Sequence, residues 1–188
     1  MTRDEDYKLI EKVANKDMDA LDLLAKRHQK VLYEYAVRVL GSREGAEDIV
    51  QETFLRAAKY ANRYKPTAKV ITWLLKISHN LCIDKRRGDS KSTIPIEAAE
   101  HNLFAYDRNL ESLENRELSR AIQNAVNELP ERQREALILH RYQGLSHIEI
   151  SKVTGWSRSA VESLIIRAYD NLRKNILKKR NIKDFLQD

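Results

Sequence analysis

Residues 145–167 read LSHIEISKVTGWSRSAVESLIIR, and this stretch decides the class of fold. Ser146 stands three residues before Glu149, the spacing at which a hydroxyl and a carboxylate cap each other's backbone amides at a helix start. Gly155 can take the left-handed conformation that ends such a helix, and Ser157 can cap the next one. Ile150, Val153, Trp156, Val161 and Leu164 recur so that two short helices close on one shared apolar core, with the small Ser151 where they cross. The pattern is a helix-turn-helix, although any αα-hairpin can imitate one. Its second helix presents Arg158, Ser159, Glu162, Ser163 and Arg167 outward. Such a helix fits the DNA major groove, where arginine pairs with guanine and glutamate accepts from cytosine.

Helical spacing extends in both directions from this unit. Upstream, Ile122, Ala125, Val126 and Leu129 form one face, and Pro130 can enter the first turn of the next helix. Leu137, Ile138 and Tyr142 form that helix's inward face, which Gly144 ends. In the first half of the chain, Leu21, Leu24, Ala25, Val31, Leu32, Tyr35, Ala36, Val39 and Leu40 lead to a stop at Gly41. Ser42 can cap a helix carrying Ala46, Ile49, Val50, Phe54, Leu55 and Ala58 inward to about Tyr60. Asn62-Arg63-Tyr64-Lys65-Pro66 breaks it, because proline cannot donate and disfavours helix just before itself. A last helix spans about 68–87, with Ile71, Leu74, Leu75, Ser78 and Leu81 inward, and a short one near 7–14 packs on the bundle. No β alternation is sustained, so the fold is all-α.

The 188 residues carry a net charge of +6, which suits a polyanion or an anionic surface. The charge is unevenly spread. Residues 1–87 carry 18 Lys and Arg against 13 Asp and Glu, 88–116 carry 3 against 6, and 117–188 carry 13 against 9. The middle stretch holds Gly88, Asp89-Ser90, Ser92-Thr93 and Pro95 and has weak apolar periodicity. It reads as an acidic linker, 88–116, between two basic helical domains, 1–87 and 117–188, because a structureless loop of this length is uncommon inside one compact domain. A lone Cys82 excludes an internal disulfide framework and fits a reducing compartment. No apolar signal core opens the sequence and no run of 18 apolar residues occurs, so a cytoplasmic chain without membrane insertion is expected.

Two further constellations carry chemistry. Asp48, Gln51, Glu52 and Arg56 share one helix edge, being three or four residues apart; by chemistry alone this is a solvated polar face. Trp73 lies among Lys65, Lys69, Lys76, Lys85, Arg86 and Arg87, a basic aromatic surface that can hold phosphates and stack bases. Trp73 can equally be a core residue. His79 and Cys82 are three apart, but two ligands do not make a metal site, and a buried thiol beside a helix histidine is the simpler reading. With no phosphate-cradling glycine loop and no nucleophile–base spacing, neither enzymatic activity nor a metal or cofactor is expected.

Taken together, Ala46–Leu55, the Thr72-Trp73-Leu74…Ile77…Asn80…Asp84…Arg87 pattern and the terminal helix-turn-helix resemble bacterial RNA polymerase sigma factors of the compact, extracytoplasmic-function type. The resemblance covers nearly the whole chain in the right order. It implies a factor that binds core RNA polymerase and directs sequence-specific promoter recognition and transcription initiation. On this footing Asp48, Gln51 and Glu52, with Arg56 on the same edge, meet the polymerase. Asn62, Arg63, Lys65, Lys69, Trp73, Lys76, Asn80, Asp84 and Arg87 hold the −10 strand. Arg158, Ser159, Glu162, Ser163, Arg167 and Arg173 engage the −35 duplex. An anti-sigma protein is an implied partner. Val70 stands where an aromatic is usual, and Ala160 and Leu164 replace the usual threonine and arginine of the reading helix. The rival class is a stand-alone regulator that dimerises and binds duplex DNA unaided.

Overall fold

The computed structural model describes residues 3–89 and 121–185. Its helices are α1 (Arg3–Ala14), α2 (Met18–Leu40), α3 (Arg43–Tyr60), α4 (Val70–Asp89), α5 (121–127), α6 (Glu131–Leu137), α7 (His147–Thr154) and α8 (Arg158–Phe185). A 3₁₀ turn, Ala61–Arg63, follows α3, and a π-helical turn, Ile138–Tyr142, extends α6. There is no strand among the described residues. The stretch expected to form the linker lies outside them, apart from Gly88 and Asp89, which close the last turn of α4.

The helix boundaries follow from local chemistry. Asp17 accepts from the Ala20 amide at the start of α2, and Gly41 ends that helix at φ 73°. Ser42 then accepts from the Gly45 amide to start α3. Such caps satisfy amides that a helix end leaves without partners, each worth about 1 kcal/mol. After the 3₁₀ turn Tyr64 is extended, and its hydroxyl donates to the Ala68 carbonyl at 2.6 Å across the bend.

α2, α3 and α4 pack around Leu24, Leu32, Tyr35, Ala46, Ile49, Ala57, Leu74 and Leu75, all buried. α1 lies across α2, held by Asp6, which accepts from Arg27 and pairs with His28, each at 3.0 Å. One expected inward residue points the other way: Leu55 is 64% exposed. Thr53 takes the core position instead, wholly buried, with its hydroxyl donating to the Ile49 carbonyl at 2.6 Å. That bond satisfies the hydroxyl within its own helix, so a polar residue fits where Leu55 was expected.

The two helical sets meet. α7 packs on α4, and Leu139, Leu145, Ile150, Val153, Val161 and Ile165 join the core of the first set. Arg38 lies 4.6 Å over the ring of Tyr142, which the π turn carries toward α2. Arg86 pairs with Glu131 at 2.8 Å and with Glu135 at 3.1 Å. Glu135 is almost fully buried, and burial, outweighing the pull of Arg86, pushes its carboxyl up to about 7. His79, buried at the same boundary, shares a 2.9 Å hydrogen bond with Tyr35 and meets Trp156 edge-on, ring centres 6.4 Å apart.

Burial lowers the His79 pKa from its ordinary 6.5 to about 4. The folded chain therefore holds His79 neutral while the unfolded chain protonates it, so its contribution is full above pH 6.5 and lost as pH falls toward 4. Glu135 acts in the opposite sense, favouring the folded state as pH falls from 7 toward 4.5. The two nearly cancel in the native chain. His79→Gln removes one side of that balance. Relative to the native chain, it is expected to gain about 2–3 kcal/mol between pH 7 and pH 4.5 in urea unfolding titrations.

Candidate nucleic-acid interface

Three surfaces carry the residues singled out in the sequence. On α3, Asp48 and Gln51 are exposed while Glu52 and Arg56 are half-buried. Asp48 accepts from Lys85 of α4 at 3.0 Å, and Glu52 from Arg56 at 2.7 Å. The edge is thus partly neutralised internally. Leu55, on the same side, adds an exposed apolar side chain that the helical spacing had assigned to the core. Beside it Gln29, Lys30, Tyr33, Glu47, Val50 and Gln51 line a groove of about 490 Å³ between α2 and α3.

The second surface runs from the 3₁₀ turn along α4. Asn62, Arg63, Lys65, Lys69, Lys76, Asn80, Asp84 and Arg87 are all exposed. From Lys69 onward the spacing is four, three, four, four and three residues, so Trp73, Lys76, Asn80, Asp84 and Arg87 continue one stripe. Trp73 is neither fully core nor free. It is half-buried, with its ring centre 5.2 Å from that of Tyr64, which in turn lies 6.3 Å from Tyr7. Arg63 sits 5.1 Å over the ring of Tyr60. Val70, where an aromatic is usual, is buried and contributes nothing to the surface.

The third surface is the helix-turn-helix. Ser146 and Glu149 form the full reciprocal cap, Ser146 Oγ accepting from the Glu149 amide and Glu149 accepting from the Ser146 amide at 3.0 Å. Burial works against ionisation of Glu149, but the bonds from Ser146 and from Lys69 outweigh it and hold the carboxyl below its ordinary range. Gly155 turns the chain at φ 78°, and Ser157 accepts from the Ala160 amide to start α8. Val161, Ile165 and Ala168 bury one face of α8. Arg158, Ser159, Glu162, Ser163, Arg167 and Arg173 all remain exposed, as the spacing required.

Sequence reasoning missed the boundary between α4 and the second helical set. Asn80, Asp84, Arg87 and Arg86 face Glu131, Arg132, Glu135 and Trp156 across a polar cavity of about 730 Å³. Pairings such as Arg86–Glu135 join residues 49 apart, and no local spacing announces them.

Residues 24–92 match the family Sigma-70 region 2, and residues 119–172 match Sigma-70, region 4. The ECF RNA polymerase sigma factor SigW of Bacillus subtilis is 30% identical over 179 residues, covering 90% of this chain and 95% of that protein. The RNA polymerase sigma-H factor of Pseudomonas aeruginosa is 27% identical over 183 residues, covering 93% and 95%. Among solved structures, CnrH in complex with the cytosolic domain of CnrY superposes with a TM-score of 0.68 at 24% identity, covering 90% of this chain and 95% of that one. The sigma factor RpoE of Bartonella quintana, in complex with the anti-sigma factor NepR, gives 0.65 at 23%, covering 84% and 96%. A two-region helical promoter-recognition factor is the class that fold and surfaces define. The chain belongs to the ECF RNA polymerase sigma factor family, which directs polymerase to promoters and starts transcription.

The cap at Ser146 satisfies backbone amides at the start of α7, the first helix of the helix-turn-helix. Ser146→Ala is expected to cost about 1 kcal/mol, lowering the thermal midpoint by about 2–4 °C in a calorimetric scan.

Proposed function

We propose that the three surfaces divide the work of initiation. The observation that carries this reading is the outward face of α8: six polar residues exposed on a helix whose opposite face is held in the core. Arg158, Ser159, Glu162 and Ser163 occupy its first turns, from which a helix-turn-helix reaches base edges. Arg167 and Arg173 lie farther along and engage phosphates, which position the helix without reading sequence. The α4 stripe, basic at Lys69, Lys76 and Arg87 and rimmed by Trp73 and Tyr64, receives the −10 non-template strand. Holding an unstacked base there offsets an unstacking cost of a few kcal/mol. Val70 in place of an aromatic leaves Trp73 and its Tyr64 neighbour as the stacking surface.

The α3 edge meets core polymerase. Because Asp48 and Glu52 already hold Lys85 and Arg56, Gln51 and Leu55 are the positions that contribute there without breaking a pair. Leu55 supplies the apolar anchor that such an interface places at its centre. Residues 88–116 serve as the acidic connection between regions 2 and 4. The chain works as a binding factor, with the chemistry of RNA synthesis left to the polymerase. No described helix is long and apolar enough to cross a membrane, and the protein acts in the cytoplasm, where its polymerase is. Since the RpoE relative was captured with an anti-sigma factor, a regulatory protein of that kind is the partner to seek.

Two experiments test the assignment. Gln51→Ala with Leu55→Ala is expected to weaken core polymerase binding by about 2–4 kcal/mol with helicity unchanged; unchanged affinity favours a stand-alone regulator. In holoenzyme binding to single-base promoter variants, Arg167→Ala is expected to weaken all promoters alike and reduce the salt slope by about one. Glu162→Ala is expected instead to relax choice at one upstream base pair, by about 1–3 kcal/mol. An identical uniform loss from both removes α8 from the groove.

A further inference from the structure

We propose, resting on the assignment of the α4 stripe to promoter DNA, that α1 belongs to the −10 face: Tyr7 is a positioning residue that holds the Tyr64–Trp73 pair for the non-template strand. Three rings from three elements form a chain. The Tyr7 ring of α1 lies 6.3 Å from that of Tyr64 in the bend, planes at 45°, and Tyr64 lies 5.2 Å from Trp73 of α4, planes at 58°. Both separations fall where tilted aromatic pairs attract. All three side chains are half-buried, so each keeps part of its surface in water.

Tyr64 stands on a bend, not on a helix, and its hydroxyl is tied to the Ala68 carbonyl at 2.6 Å. A ring tethered at that end and touching Trp73 alone can still swing about its tether, and Tyr7 supplies the second aromatic neighbour. α1 is itself firmly held. It buries Leu9, Ile10 and Val13, which leaves Tyr7 to one side of that face. Asp6, the residue before Tyr7, engages a partner on each carboxylate oxygen, Arg27 on one and His28 on the other, each at 3.0 Å. α1 also touches the 3₁₀ turn and α4. The Tyr7 hydroxyl is bonded to Glu11, one turn along, so its polar end is satisfied within α1. Val70 is buried and offers no ring, so stacking falls to Trp73 and Tyr64. A base stacked on an aromatic side chain gains about 1–3 kcal/mol, and the gain is largest when the ring is already held where the base arrives.

The test measures promoter opening by the holoenzyme, read as permanganate reactivity of unpaired thymines, alongside core polymerase affinity by anisotropy. Tyr7→Leu keeps apolar bulk and favours helix at least as well as tyrosine, so the fold is retained. It is expected to lower the equilibrium constant for opening about two- to tenfold, the size of one aromatic pair, with core affinity and helicity unchanged. Tyr7→Phe is expected to open promoters as the native chain does, because the ring and not the hydroxyl does the positioning. Trp73→Ala is expected to impair opening as well, and adding Tyr7→Leu to it to cost little more, since the two act through one surface. Native opening by Tyr7→Leu beside impaired opening by Trp73→Ala overturns the role of Tyr7 and leaves the α4 assignment standing. Losses that simply add, an equal loss from Tyr7→Phe, or a fall in core affinity overturn that role in the same way. Native opening by both Tyr7→Leu and Trp73→Ala overturns the α4 assignment and the role of Tyr7 with it.

Discussion

The seat of α7 on α4 is the contact on which the rest of the arrangement depends. It joins two sets of helices, each amphipathic, into one apolar core in which Ile150 and Val153 continue the layer begun by Leu74 and Leu75. Each such side chain withdrawn from water contributes about 1.5–3 kcal/mol. The same seat forces charge into the boundary. Glu135 is buried there, and removing Arg86 from beside it would strand a carboxylate at a cost of about 3–5 kcal/mol, whereas the intact pair adds little net stability. The pair therefore specifies how the sets dock more than how strongly they hold. His79 and Glu135 act on stability in opposite senses at one boundary, so their effects offset each other between about pH 4.5 and 6.5.

The three surfaces differ in how far their charges are already satisfied. On the α3 edge Glu52 is paired with Arg56 and Asp48 with Lys85 of α4, while Gln51 and apolar Leu55 are exposed. The face of α8 mixes Arg158, Glu162 and Arg167 without burying any of them. The α4 stripe is basic and aromatic, and Lys69 at its start pairs with Glu149 of the second set at 3.1 Å. A surface that binds polyanions also binds its own acidic residues when the chain brings them near.

Much of this was legible in the residues. Gly41, Ser42, Ser146, Gly155 and Ser157 announce helix ends through local backbone and capping chemistry, and each sits where its chemistry placed it. On α8 the sequence reading placed Val161 and Leu164 inward; the structure buries Val161 together with Ile165 and Ala168 and leaves Leu164 half-buried. Leu55 was misread because periodicity ranks residues by hydrophobicity alone. Thr53 takes the core position by satisfying its hydroxyl inside the helix, a bond that no hydropathy pattern contains. The docking of the two sets was invisible for a different reason. Arg86 and Glu135 each look like ordinary solvated charges in their own helices, and only the tertiary fold brings them together. Trp73 fell between the two readings open to it, packed on Tyr64 yet part of the surface.

The central claim is that this chain recognises promoters as a subunit of polymerase and not alone. Light scattering on a size-exclusion column measures that directly, with the chain run alone, with core RNA polymerase, and with promoter duplex. The account predicts a 21.9 kDa monomer that forms a one-to-one complex with core polymerase and binds the duplex tightly only in that complex. A dimer that binds the duplex unaided and passes core polymerase without forming a complex would contradict it.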